Sequence, residues 1–408
     1  MAKKSIEDVD LKGKRVLVRV DYNVPLEDRG GKMVISDDTR IVETLPTLRH
    51  LSSKGAKTVL VAHLGRPKGK SDPKQSLAPV ADRLAELLGR RVEFCGDSII
   101  DDAGLAAVKR AAEGLAGGDF ILLENIRFYP GEEKNDADLG QRLASLCDIY
   151  VNDAFGSAHR AHSSTEAAAK AAPVAVSGYL MQKELRYLGD ELEKPERPFT
   201  VILGGAKVSD KITVIDTLLD KADAMLIGGG MAYTFLSVMG HKIGKSLFEA
   251  DKVDVARAAI EKAKAKGVKF LLPIDHMITE KLDFAAKSVT PPRFTKVGEE
   301  IPDGWLAVDI GPETIKAYAE VVRGSKTVLW NGPMGVFEVK ECSKGTFAVA
   351  EAVAASGAKS IIGGGDSVKA VKKSGQASKV TFMSTGGGAS LEFLEGRALP
   401  GVAALSDK

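Results

Sequence analysis

The chain has 408 residues, with 57 Lys and Arg against 55 Asp and Glu, so its net charge is only +2. A balance this close to zero excludes a general attraction to nucleic acid or anionic membranes, and any anion binding has to come from local clusters. Hydrophobic residues at 44% and charged residues at 27% exclude a disordered chain and a coiled coil, while the length exceeds the ~250–300 residues at which single cores stop growing, so two domains are expected.

In the first half, short runs rich in Val, Ile and Leu fall at 15–24, 58–64, 91–95, 120–123 and 148–151, with helix-like stretches at 77–88 and 138–146 between them. The runs show little polar alternation, as strands buried on both faces should. Met181, Leu185, Leu188 and Leu192 then mark one face of a helix, which ends at Glu193-Lys-Pro-Glu-Arg-Pro198. Two prolines three apart favour an extended connector. The second half repeats the plan with runs at 200–203, 224–227, 269–273, 327–330, 360–362 and 379–383. Gly267 closes one helix there, and Gly311-Pro312 and Gly324 bracket another. Alternation of this kind predicts an α/β protein with two parallel-sheet domains.

Cys95, Cys147 and Cys342 are odd in number and far apart, which predicts small buried hydrophobes in a reducing compartment rather than a disulfide framework or a zinc site. The segment Met1-Ala-Lys-Lys-Ser-Ile-Glu-Asp has no apolar core, so no signal peptide is expected, and no stretch reaches the ~18 apolar residues of a membrane helix.

Ligands of open parallel sheets bind at the carboxyl ends of the strands. In the first half the runs are followed by Asp21-Tyr-Asn23, His63-Leu64-Gly65-Arg66, Glu124-Asn-Ile-Arg127 and a segment holding His159, Arg160 and His162; Arg40 follows the acidic turn 36–39. Guanidinium forks match phosphate and carboxylate oxygens in pairs, so several on one rim make an anion site. In the second half glycines follow the runs, at 204–205, 228–230, 363–365 and 386–388, and each group is expected to open a helix whose N–H groups receive phosphate. Lys207 and Lys211, four apart, would share a helical face, and Asp366 beside Ser367 would serve as a Mg²⁺ ligand or a helix cap. Gly240-His-Lys-Ile-Gly244-Lys245-Ser246 is not a Walker A loop, because only three residues separate its glycines, and no GxGxxG is present. From the residues alone, the reading is a two-domain enzyme joining a nucleotide to a small anion. A nicotinamide dehydrogenase and a closing anion-binding protein are the other readings.

Taken together, His63-Leu-Gly-Arg66-Pro67, Leu122-Leu-Glu-Asn-Ile-Arg127-Phe128, Val151-Asn-Asp-Ala-Phe-Gly156, Gly204-Gly-Ala-Lys207-Val208, Trp330-Asn-Gly-Pro333, Gly335-Val-Phe-Glu338 and Ser384-Thr-Gly-Gly-Gly-Ala-Ser390 resemble the phosphoglycerate kinases, and the likeness runs over essentially the whole chain. Tyr22, where the family commonly has Phe or Leu, and Ala307, where some members have glycine, are mild departures.

The resemblance implies two Rossmann-like domains facing each other across a cleft. Residues 1–172 with 391–408 would bind phosphoglycerate, 173–198 would form a connecting helix and hinge, and 199–390 would bind nucleotide. It implies a phosphoglycerate site of Asp21, Asn23, Arg40, His63, Leu64, Gly65, Arg66, Arg127 and Arg160. The nucleotide site would comprise Lys207, Lys211, Asn331, Glu338, Gly364, Gly365, Asp366 and Ser367, with Asp366 toward Mg²⁺ and Arg40, Lys207, Gly365 and Gly388 as catalytic groups. The implied reaction is reversible phosphoryl transfer between ATP and the carboxylate of 3-phosphoglycerate, giving 1,3-bisphosphoglycerate and ADP. A cytoplasmic monomer acting on small molecules, without nucleic-acid or membrane partners, is expected.

Overall fold

The computed structural model describes residues 3–408. The chain divides into two compact units, Met1–Arg186 with Arg397–Lys408 and Tyr187–Gly396. The segment 173–198, expected as a connector, is thus shared between the units, and residues 391–396 pack with the second.

The first unit is built on a six-stranded sheet of β1 (Arg15–Val20), β2 (Lys57–Val61), β3 (Val92–Cys95), β4 (Phe120–Leu123), β5 (Ile149–Asp153) and β6 (Ala175–Ser177). Their order is β3–β4–β2–β1–β5–β6, and every pairing is parallel. Val16, Val18 and Leu60 on the central strands are fully buried, as layers covering both faces require. Helices α1 (Thr39–Ser53), α2 (Ala78–Leu88) and α3 (Ala137–Ala144) connect strands, and Gly89 stops α2 in the left-handed region at φ 64°. The strand expected over 15–24 stops at Val20. Beyond it Leu26–Arg29 and Lys32–Ile35 form a hairpin that the apolar pattern did not announce.

The second unit holds β7 (Phe199–Leu203), β8 (Ala224–Ile227), β9 (Lys269–Leu271), β13 (Thr327–Asn331), β14 (Lys359–Gly363) and β15 (Phe382–Met383), again all parallel, in the order β9–β8–β7–β13–β14–β15. This is the dinucleotide-fold order, whose direction reverses between β7 and β13. A small antiparallel sheet of β10 (His276–Thr279), β11 (Arg293–Phe294) and β12 (Leu306–Ile310) is added. Helix α6 (Val253–Lys266) ends at Gly267, φ 70°, and α7 (Pro312–Arg323) begins with proline, both as the sequence punctuation predicts. All three cysteines are buried and free.

At the end of β5, Asp153 Oδ1 accepts hydrogen bonds from the Leu180 and Met181 N–H groups at 2.9 and 3.2 Å, capping the first turn of α4 (Tyr179–Leu185). Burial pushes its carboxyl up to about 7, although Thr47 and those two N–H groups favour ionisation. A carboxyl with a raised folded pKa contributes fully at low pH and loses that contribution as pH rises from ~4 through 7. Asp153→Asn keeps an acceptor without the charge. Relative to the parent, it should gain roughly 2 kcal/mol of stability between pH 5 and pH 7.5 in urea unfolding. A difference that does not vary with pH would refute this assignment.

Candidate active site

Four neighbouring strands, β4, β2, β1 and β5, deliver the first set of polar residues at their carboxyl ends. Asp21 leaves β1 and grips Arg40, in the first turn of α1, at 2.6 Å. Burial opposes its ionisation, but the Arg40 and Arg19 charges and the Asn23 N–H favour the carboxylate and hold its carboxyl below the ordinary aspartate range. Asn23 Oδ1 accepts from the Gly65 N–H at 2.9 Å, and the Gly65 carbonyl accepts from Arg127 Nη1 at 2.7 Å. Gly65 sits at φ 62°, a backbone state that favours glycine, and a Cβ there would meet the Gln75 side chain at 2.1 Å. The loops after β2 and β4 are riveted by buried Asn125. Its Oδ1 accepts from the Leu64 and Arg127 N–H groups at 3.2 and 3.1 Å, and its Nδ2 donates to the Leu64 carbonyl at 2.7 Å.

His63 is buried, and Arg19 Nη2 lies 3.1 Å from its Nδ1. A guanidinium can only donate, so Nδ1 accepts and the imidazole proton sits on Nε2. Burial, and then the Arg19, Arg127 and Arg40 charges against the opposing pull of Asp21, keep His63 neutral. It therefore offers one N–H to an anion while Arg66 and Arg160 offer charge. Among the described residues, exposed Arg66 has no side-chain partner, and the Arg160 side chain makes only a 3.2 Å contact to His159. Burial and the Arg127, Arg19 and Arg160 charges also push His162 down to about 4. Unrelieved positive charge of this kind is neutralised by a multivalent anion such as a phosphate.

In the second unit the loops after β7 and β13 meet at the reversal point. A Cβ on Gly204 would lie 2.0 Å from the Pro333 carbonyl, and one on Gly332 (φ 104°) would lie 2.1 Å from the Gly204 carbonyl. Only bare backbone fits there. Buried Asn331 receives Lys211 Nζ on its Oδ1 while its Nδ2 has no partner. Burial pushes Lys211 down to about 8, against the Asp210, Asp366 and Glu395 charges. Ser367 Oγ accepts from the Gly332 N–H at 2.5 Å. Gly364 (φ 82°) caps α8 (Gly365–Lys373), and Gly388 opens the seven-residue α9 (Gly388–Leu394). Lys207 and Glu338 are exposed and have no ion-pair partner among the described residues. Asp366 is exposed and contacts Lys369 at 3.2 Å.

One local expectation fails. Lys207 and Lys211 do not share a helical face, because both precede α5 (Ile212–Leu219) in an irregular loop. The Gly204-Gly205 backbone is occupied in bonding Asn331 and Pro333, and six more residues, 206–211, pass before the helix begins.

The phosphoglycerate kinase family profile matches residues 6–397. The chain belongs to the phosphoglycerate kinase family. It is 54% identical to the phosphoglycerate kinase of Clostridium novyi over 100% of this chain and 99% of that one, and 55% identical to that of Acidobacterium capsulatum over 100% of both. The solved phosphoglycerate kinase of Coxiella burnetii superposes with a TM-score of 0.88 at 39% identity, covering 98% of each chain. The chain is accordingly a phosphotransferase that moves a phosphoryl group between ATP and the carboxylate of 3-phosphoglycerate, a glycolytic step.

Several residues that support the polar cluster at the strand ends of the first unit were not picked out from the sequence. Arg19 is almost fully buried, and its Nε donates to Ser164 Oγ at 2.8 Å. That hydroxyl donates to fully buried Glu132 Oε1 at 2.6 Å, and the Ser164 N–H donates to Glu132 Oε2 at 2.9 Å. The available signal was an arginine set inside the apolar strand Arg15–Val20. A charge in that position has to be paired.

Proposed function

We propose that the transfer proceeds by placement and charge cancellation, with the phosphoglycerate held by the first unit and the nucleotide by the second. The reading is carried by the single feature that Arg66 and Arg160 stand without carboxylate partners on the rim that also presents the neutral His63 Nε2–H. Arg66, Arg127 and Arg160, with His63, hold the 3-phosphate. Asp21 and Asn23, with the Leu64-Gly65 turn, orient the glycerate. Arg40 meets the reacting carboxylate. The acceptor is already ionised, so no general base is needed, and what is needed is in-line alignment with stabilisation of the moving phosphoryl group.

On the nucleotide side, Lys207 balances charge on the transferring group. Lys211, fixed by Asn331, and the Gly364-Gly365-Asp366-Ser367 turn hold the phosphates, Gly388 offers its N–H, and Glu338 accepts from the ribose. Among the described residues no three carboxylate, His or Cys side chains converge on one metal site. A lone exposed Asp366 nevertheless fits Mg²⁺, which usually keeps several waters and is bound through one or two carboxylates and substrate phosphates. When bound, the ion would neutralise phosphate charge. Asp366 and Lys211 would orient the same phosphates from the protein side.

Near-neutral charge and the absence, among described residues, of a helix long and apolar enough to cross a membrane support a cytoplasmic enzyme of small molecules. Residues 173–198 serve as the hinge on which the units close. A coupled assay of ATP consumption should show turnover dependent on both 3-phosphoglycerate and Mg²⁺, reduced ~10²-fold or more in Lys207→Ala. The same samples should compact in small-angle scattering only when both substrates are present. Turnover without phosphoglycerate, or full activity in the variant, would overturn the scheme.

A further inference from the structure

The second unit contains a cavity of about 620 Å³ that none of the residues assigned to substrate or nucleotide above lines. Its walls come from α6, α7, the end of β9 and the loops at 239–243 and 297–301, and its apolar lining includes Leu236, Ile243, Ile260, Phe270, Ala317 and Tyr318. The size suits a small organic ligand. Met239, Ile274 and Val297 lie at its edge and are 57%, 45% and 58% exposed, so large apolar side chains face solvent around the opening. Exposed apolar groups gathered about a cavity mark a binding surface more than scattered ones do.

Two polar features give the space a chemical preference. His276 also lines it, is 6% exposed, and spends its Nδ1 on the Tyr233 hydroxyl at 3.2 Å, leaving Nε2 with no protein partner. Burial pushes this imidazole down to about 4, so it is neutral near pH 7 and presents a hydrogen-bonding nitrogen rather than a charge. At the lining, Glu299 is taken by Arg293 at 3.1 Å, and Glu300 by the Lys242 N–H and by His241 at 3.7 Å. The ammonium groups of Lys242 and Lys264 lack any such partner and are exposed. Glu299 is therefore paired with a cation and Glu300 with hydrogen-bond donors, while two cations remain available.

We propose that this cavity binds an apolar organic acid carrying a second hydrogen-bonding group. Its hydrocarbon body fills the cavity, its carboxylate lies between Lys242 and Lys264, and its second polar group meets His276 Nε2. The site is separate from both substrate half-sites, and its occupation does not require turnover.

The probes are 10-hydroxydecanoate, decanoate and 1-decanol, titrated into the full chain by calorimetry and followed by methyl NMR. Saturable one-to-one binding of the hydroxy acid is expected, with shifts concentrated at Ile243, Ile260 and Leu236. Decanol should bind more weakly, and Lys242→Ala with Lys264→Ala should weaken the acid about tenfold. Removing two methylenes should cost roughly tenfold or more, since each contributes ~0.8 kcal/mol. The hydroxy acid should exceed decanoate by a few-fold, a margin lost in His276→Phe. If that variant fails to fold, the imidazole ¹⁵N shift of the parent reports the same contact. No saturable binding below about 5 mM, shifts lying elsewhere, or affinity indifferent to the lysine pair would each overturn the proposal; the 5 mM ceiling corresponds to roughly 3 kcal/mol of binding energy.

Discussion

Arg40→Ala is expected to lower kcat by about 10²–10³-fold, with kcat/KM falling in the same proportion and nucleotide affinity unchanged. That pattern belongs to a contact made chiefly in the transition state. Asp21 stays ionised at working pH and holds one arm of the Arg40 guanidinium, while the side chain remains 39% exposed, so the rest of the fork is directed but unspent. Arg40→Lys should recover little, because an ammonium is a point charge and cannot present two parallel N–H groups. The unfolding midpoint should hardly move, since a part-exposed pair contributes only ~1 kcal/mol or less. Steady-state kinetics in both directions is the measurement, and near-parental turnover would remove Arg40 from the reacting carboxylate.

Arg19→Met should destabilise the first unit by roughly 3–5 kcal/mol, the cost of leaving a buried charge uncompensated. The charge is Glu132, which Arg19 reaches through the Ser164 hydroxyl. Burial already raises the Glu132 pKa, with Arg19 the foremost of the groups opposing that rise. Without Arg19 the carboxyl takes up a proton more readily, so the loss should be larger at pH 8 than at pH 5.5. Glu132→Gln in the same chain should restore part of it. The substitution also frees His63 Nδ1, and weaker phosphoglycerate binding should accompany the lost stability. Urea unfolding at both pH values decides the matter, and an equal loss at each would exclude Glu132 as the cause.

The two parallel sheets were legible because their strands are uninterrupted apolar runs, as in Phe120–Leu123 and Ala224–Ile227. The antiparallel addition of His276–Thr279, Arg293–Phe294 and Leu306–Ile310 was not, since the middle strand has only two residues and no period, and the other two are short and carry His276 and Asp309 among their apolar residues. The rim residues could be named because strand ends are where such sheets bind ligands, and the topology does bring Asp21, His63, Arg127 and Arg160 to neighbouring ends. The supports beneath them were hidden for a physical reason. Asn125, Ser164 and Glu132 act through hydrogen bonds between loops far apart in the chain, and no local spacing encodes which buried polar groups will meet.

The return of Arg397–Lys408 to the first unit has a bearing on how the protein is made. The Gly401 N–H donates to the Ala158 carbonyl at 2.9 Å, the Gly401 carbonyl accepts from Asn152 at 3.1 Å, and the Ser406 N–H donates to the Ala175 carbonyl at 2.9 Å. All of those partners are translated before the second unit begins. On the ribosome, the loop bearing Arg160 must therefore wait, its backbone incompletely bonded, until roughly 240 further residues, up to Gly401, have been added, at about 5–20 residues per second. The first unit thus gains these backbone bonds only after residues 187–396 of the second have been made.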